Sequence, residues 1–424
     1  MRKSVGTILR PLQAGIAAAI AVMLAALAGP AGAGEPLKIG FGMALTGGLA
    51  GTGKAALLAT KMWAEDANAR GGVLGREVRL VYYDDQSNPS TVPGIYAKLL
   101  DVDKVDLVAS GYATNMIAPA MPIMIERGLV FIGLFGLAIN DQFRYERYFA
   151  IVPGGDNPRL TYSEGFFDVA MTMEPKPATA AIVGADAEYA QIATDGAREN
   201  AQKRGLKIVY DRKYPPGSVD FVPIARAIQA ANPDVVYIAS YPPDTVGMVR
   251  AADEVALRPK MLGGGMIGLQ YAAIKQQLGP LLNGITSFDV YVPEPTMRFA
   301  GIEAFLRKYQ SRAGAEGTDQ LGFYTPPYAY ARMQVLAQAI ETTKSLDQKQ
   351  LAQYLHEATF DTLVGKVKFG PSGEQAVPRI LFVQYQGIAG NDIEQFNKPG
   401  KQVIVSPPAF VSGKFLYPYA DLRR

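Results

Sequence analysis

Residues able to carry chemistry are few in this chain, and their spacing decides most of what they could do. Gly48-Leu49-Ala50-Gly51-Thr52-Gly53-Lys54-Ala55 spaces its glycines and its lysine as a phosphate-binding loop does, after a strand and at the start of a helix. Such a loop needs a hydroxyl after the lysine to hold Mg²⁺, and Ala55 stands there. The run therefore reads as a glycine turn that lets the first helix approach a cleft, with Thr52 able to reach a ligand. Asp84-Asp85 could pair for acid–base work, but two carboxylates at a strand's end more often cap a turn. The sole histidine, His356, falls on an amphipathic helix over Gln350 to Ala358 and is expected to face solvent. There is no cysteine. Neither a metal site nor a nucleophile with its base can be assembled, so no catalytic residue, metal or cofactor is expected.

Binding is better served. Ser110-Gly111-Tyr112-Ala113-Thr114-Asn115 follows an apolar run, Val105 to Ala109, that reads as a buried strand, and leads into a helix expected over Met116 to Glu126. Thr114 or Asn115 can cap that helix, leaving N–H groups for an anion. Tyr189 lies just beyond one later strand and Tyr241 beyond another, while Tyr112 and Phe135 approach from the earlier part of the chain. Aromatic walls with a few polar groups suit a small-molecule pocket.

The elements that must position these residues alternate. Strands read at Leu37–Ala44, Arg76–Asp84, Val105–Ala109 and Leu129–Ile132, with helices between them from Gly53 to Arg70 and up to Asp101. Units of this kind make an α/β chain with a parallel, doubly wound sheet. The pattern restarts with strands at Thr179–Val183, Lys207–Arg212, Val235–Ala239 and Lys260–Leu262. Helices at Ala190–Arg204, Phe221–Ala230 and Pro242–Glu254 separate them. Two such units are joined around Phe149 to Pro158. The later segments, helical at Ile302–Gln310 and Ala329–Thr343, have no fresh sheet. Strands within Asn283–Val292 and Thr362–Gln384 must then join the existing ones. A chain crossing more than once between two lobes makes a hinge, and a hinge makes a cleft. The run beyond Gly390 reads as an extended tail against the second lobe.

At 424 residues the chain is long enough for two domains. Arg2, Lys3 and Arg10, the uncharged run Ile16–Ala28 and the small residues Ala31-Gly32-Ala33 read as a signal peptide over 1–33, cleaved near Ala33. Three of the 42 basic residues leave with it, against 39 acidic ones, so the mature protein is neutral. That removes the electrostatic case for nucleic acid or anionic lipid. An exported protein also meets little ATP.

Several ordered segments carry a family likeness: Leu45-Thr46-Gly47-Gly48, Asn68-Ala69-Arg70-Gly71-Gly72-Val73-Leu74-Gly75, Tyr83-Asp84-Asp85-Gln86-Ser87, Asp234-Val235-Val236-Tyr237 and Gly365-Lys366-Val367-Lys368-Phe369. With them the chain from about Leu37 to Gln386 resembles the type I periplasmic solute-binding proteins of branched-chain amino-acid-type (Leu/Ile/Val-binding protein-like) ABC importers. The resemblance implies two Rossmann-like lobes with parallel central sheets and a three-strand hinge. Lobe 1 would comprise 34–152 and 290–377, and lobe 2 153–289 and 378–424. It further implies a monomer in the periplasm that binds a small molecule without turnover and docks on membrane permease subunits. Carried over residue by residue, the ligand contacts would be Thr52, Tyr112, Ala113, Thr114, Phe135, Gly136, Leu137, Tyr189, Tyr241, Gly265 and Met266, with Thr114 holding a carboxylate.

Three departures matter. The acid that binds an α-ammonium in amino-acid receptors, on a loop after a second-lobe strand, is replaced by Gly263-Gly264-Gly265-Met266, unless Asp244 or Glu188 stands in. The polar loop after the fourth strand is replaced by Leu134-Phe135-Gly136-Leu137. A disulfide found in some members is absent, with Ser87 and Ala113 at its positions. A buried ammonium without a counter-charge is costly. The expected ligand is therefore a small organic acid with an aromatic or apolar body. An amino-acid receptor, a periplasmic sensor and a hydrolase remain as alternatives.

Overall fold

The computed structural model describes residues 34–423; the signal peptide expected over 1–33 lies outside the described residues. Two sheets carry the fold. In the first, β1 (Leu37–Met43) lies between β2 (Val78–Asp84) and β3 (Leu107–Val108), all parallel. β4 (Phe131–Gly133) pairs parallel with β5 (Tyr148–Ala150), and a bridge between Tyr112 and Leu134 joins this pair to the chain after β3. β1 is buried almost throughout, which is why it reads as a continuous apolar run.

The second sheet has seven strands: β6 (Thr179–Ala185), β7 (Lys207–Tyr214), β8 (Val235–Ser240), β9 (Met261–Met266), β10 (Thr286–Asp289), β13 (Leu381–Tyr385) and β14 (Gln402–Ser406). Strands β6 to β10 are parallel, and β13 and β14 are added antiparallel at the β10 edge. The end of the chain beyond Gly390, expected as an extended tail, thus supplies the edge strand. β11 (Thr359–Thr362) and β12 (Gly365–Lys368) do not join either sheet as expected. They form a separate hairpin, and only β13 of that region enters a sheet.

Three segments connect the sheets. They run through Val152–Pro158, through the chain after Asp289, and through the chain before Leu381. The first and third touch: Arg379 N–H donates to Pro153 O at 2.8 Å. Between the second and third crossings, the helices Ile302–Ala313 and Thr325–Thr343 pack back on the first helix, Ala50–Ala69. Lys308–Asp66 (2.5 Å) and Arg312–Glu65 (2.6 Å) ion pairs line that seam.

Two local differences from the sequence reading have physical causes. The helix expected over Met116–Glu126 is broken into Thr114–Ile117, a 3₁₀ turn Ala118–Ala120 and Met121–Arg127. Pro119 and Pro122 each remove an N–H donor there. The helix Pro158–Ala170 was not expected at all, although Asn157 caps it by accepting from Leu160 N–H and Pro158 occupies its first turn. No helix among the described residues is long and apolar enough to cross a membrane.

Candidate functional site

The candidate site lies where the two sheets face each other. The turn after β3 begins it. Ala113, at φ +79°, precedes the short helix, and both Met116 N–H and Ile117 N–H donate to its carbonyl. The N–H groups of Thr114 and Asn115 thus come before the first helical bond and point out of the turn. Neither Thr114 nor Asn115, the two candidate caps, caps the helix with its side chain. The Thr114 hydroxyl instead accepts Leu137 N–H at 3.0 Å, tying this turn to the next one and leaving the hydroxyl proton to donate elsewhere. In that next turn Phe135 and Ala138 also take positive φ, +61° and +51°. Three non-glycine residues in the left-handed region on two neighbouring turns mark strain of the kind held at binding sites.

The walls are aromatic. Tyr112, Phe135 and Tyr324 cluster on the first-sheet side, with ring centroids 4.4 to 6.4 Å apart. Opposite them Tyr162, Tyr189, Tyr241 and Phe288 form a second cluster. Tyr189 hydroxyl donates to Gly265 O at 2.8 Å, so the 2.7 Å bond between Tyr162 and Tyr189 is donated by Tyr162. Burial pushes both phenols well above their ordinary pKa and keeps them neutral. Tyr241 hydroxyl donates to Asn115 Oδ1 at 2.9 Å, a bond from one sheet's turn to the other's. The rings close the intervening cavity to ≈ 30 Å³.

Tyr112, Ala113, Thr114, Phe135, Gly136, Leu137, Tyr189 and Tyr241 all line this cavity. Thr52, Gly265 and Met266 do not. Thr52 is buried with its hydroxyl unpartnered, at the start of the first helix, where Gly53 sits so close to Ala44 O that a Cβ would lie 1.9 Å away. Lys54 is exposed, so the glycine run serves helix packing. Gly263 to Met266 is strand β9 rather than a loop. Its glycines make room for Thr286 O, the Tyr237 ring and the Tyr189 hydroxyl. Gly265 touches the site through Tyr189 and Tyr162.

Asp84 accepts Leu45 N–H, Gln86 N–H and the Thr46 hydroxyl, which is a turn-capping role. His356, expected in solvent, is half-buried instead: Nε2 donates to Glu146 O at 2.8 Å and the ring packs on Phe149.

The sequence reading missed one group of consequence. Neither Asp244, held by the Tyr214 hydroxyl at 3.1 Å, nor Glu188 lines the cavity, but Glu374 does. Glu374 comes from the turn after β12, in the third crossing. Gly370 N–H donates to Glu374 O at 2.7 Å, Ala150 N–H donates to Gly373 O at 2.9 Å, and Asn140 Nδ2 donates to Ser372 O at 2.6 Å. Gly373, at φ +80°, lies against Tyr148 O, where any Cβ would be 1.9 Å from that oxygen. This fixes the turn against β5 and aims the carboxyl inward. Glu374 is 2 % exposed, and its Oε1 has no hydrogen-bond partner. Burial, with Asp141 adding repulsion, raises its pKa to about 8. Val152, Gly154, Ile267 and Ile380, from the crossings and the end of β9, complete the lining.

Residues 36–391 match the sequence model of a family described as periplasmic binding protein. The chain belongs to that family. Members of the periplasmic binding protein family bind solutes and are not enzymes. A leucine-, isoleucine-, valine-, threonine- and alanine-binding protein of Pseudomonas aeruginosa is 24% identical over 357 residues, covering 84% of this chain and 91% of that one. Among solved structures, the substrate-binding protein LivJ of Streptococcus pneumoniae in complex with isoleucine aligns with a TM-score of 0.71 at 17% identity, over 88% of this chain and 100% of that one. A solute-binding protein of an ABC transporter from R. palustris in complex with benzoate aligns with a TM-score of 0.72 at 18% identity, over 89% and 97%. The periplasmic binding protein fold is thus shared with receptors for quite different ligands.

Proposed function

We propose that this chain is the exported solute receptor of an ABC importer and that it binds a small aromatic carboxylic acid between its lobes. On this reading the leader at 1–33 is removed near Ala33. The lobes are 34–152 with 290–377 and 153–289 with 378–424, and the closed monomer presents its ligand to permease subunits. The observation that carries the ligand class is the pairing of an anion-donor turn with aromatic walls. Thr114 offers a hydroxyl proton and a neighbouring N–H, with no basic side chain lining the cavity, while Phe135, Tyr162, Phe288 and Tyr324 offer faces and edges to a ring. A family relative of the same fold holds benzoate.

An amino-acid receptor is the second reading. Glu374 favours it, because a buried acid could in principle face an ammonium. The experiment is calorimetric titration of the mature protein with benzoate and with leucine. Micromolar or tighter benzoate binding with no leucine heat supports the first reading, and tight leucine binding overturns it. Recovering the bound acid unchanged separates a receptor from a hydrolase.

A further inference from the structure

Among the described residues, the cavity contains one ionisable acid that no part of the carboxylate anchor uses. Glu374 lines it, is 2 % exposed, and leaves Oε1 without a partner. Leaving a buried carboxyl oxygen unmatched costs stability, and the turn that holds Glu374 is braced at several backbone positions to keep it there. The chemistry around it selects what could match it. Its charged neighbour is another acid, Asp141, and Asp141 in turn is near Arg159. The nearby Tyr148 hydroxyl is likewise buried and unpartnered, beneath Gly133 and Gly136. No basic side chain lines the cavity.

A carboxyl in such surroundings is kept protonated, and a neutral carboxyl both donates and accepts. An ammonium would have to lose its water and force the acid to ionise in the same step. A hydroxyl group asks for neither. Glu374 is carried by the crossing that packs against Gly154 and β5, a different segment from the Thr114 turn.

We propose that Glu374 is the specificity-determining residue of the cavity and reads a hydroxyl group on the ligand's ring, so that the ligand class is a hydroxylated aromatic carboxylic acid. The proposal rests on the aromatic-acid reading above and narrows it.

The test is calorimetry of the mature protein and of the Glu374→Leu and Glu374→Gln variants with benzoate, 3-hydroxybenzoate and 4-hydroxybenzoate. The wild type should prefer one hydroxybenzoate over benzoate by roughly 10-fold or more, since a site built for a hydroxyl penalises its absence. In Glu374→Leu that ratio should fall to within about twofold, while Glu374→Gln, which still donates and accepts, should keep part of it. Thermal unfolding of each variant confirms that it is folded. Aromatic acids that bind without hydroxyl preference, or a preference that survives in Glu374→Leu, overturn the role of Glu374 and leave the aromatic-acid reading standing. Failure of every aromatic acid to bind the wild type overturns both.

Discussion

The Tyr241 hydroxyl donates to Asn115 Oδ1 at 2.9 Å, and the same oxygen lies 3.4 Å from Tyr189 N–H. Asn115 belongs to the turn after β3 and the two tyrosines to helix starts after β6 and β8, so one amide oxygen latches the two sheets across the cavity. The cavity beneath it measures ≈ 30 Å³, and on the proposed reading a ligand enters when that latch opens. Tyr241→Phe should therefore raise the ligand dissociation rate and weaken binding by about 0.5–1.5 kcal/mol, the worth of one hydrogen bond. Stopped-flow fluorescence with the aromatic acid that binds would read it. An unchanged dissociation rate would show that the latch does not hold the closed state.

Thr114 accepts Leu137 N–H and, on the proposed reading, donates to the ligand. Thr114→Val keeps the shape but ends both, leaving a buried N–H unpaired. Carboxylate affinity should fall by about 1–3 kcal/mol, and Thr114→Ser should recover most of it. Titration of both variants with a carboxylic acid and with its amide distinguishes the roles. Equal losses for acid and amide would mean that the hydroxyl serves the fold alone.

Glu374 links stability to pH. Its pKa is raised from 4.5 to about 8 in the folded protein. Between those values the unfolded chain has released a proton that the native protein keeps, so unfolding free energy falls as pH rises from about 4.5 to about 8. Asp85 and Asp289, each raised to about 6 by burial, add to the same trend. The clean measurement is consequently a difference. Urea unfolding of Glu374→Gln against wild type should show the variant gaining a few kcal/mol relative to wild type between pH 5 and pH 8. Parallel pH curves would place the titration elsewhere.

Gly265 tests the packing behind the site. A Cβ there would lie 2.8 Å from the Tyr189 hydroxyl and 3.1 Å from that of Tyr237. Gly265→Ala should push Tyr189 off its carbonyl partner, cost about 1–3 kcal/mol of stability as overpacking does, and weaken ligand binding although the residue does not touch the cavity. Thermal unfolding and titration of the single variant check both parts.

How much of this was legible in the chain varies with the range of the forces involved. The apolar runs at β1, β6 and β8, the turn chemistry of Asp84 and the Pro-started helix Pro242–Glu254 are local, and the residues themselves announce them. So is the placing of Tyr189 and Tyr241 just past strand ends, which in a parallel sheet puts them on the ligand side. The helix Pro158–Ala170, which brings Tyr162 to the cavity, carries an equally local start signal in Asn157-Pro158.

Other features had no local signal. Phe288 reaches the cavity from β10, Tyr324 from a helix start and Glu374 from the third crossing, all far along the chain, and nothing in their neighbours' sequence says which lobe they face. The three glycines of β9 look like a missing acid in the sequence. In the fold they are a close approach between strands, and the acid comes instead from a turn held against β5 by backbone bonds. The sequence by itself determined an α/β chain of two sheets with a turn and helix start beyond the third strand, because strand period and turn chemistry act over a few residues. Only the tertiary structure decided that a buried, unpartnered carboxyl faces that turn's cavity, because its burial is made by segments more than two hundred residues apart.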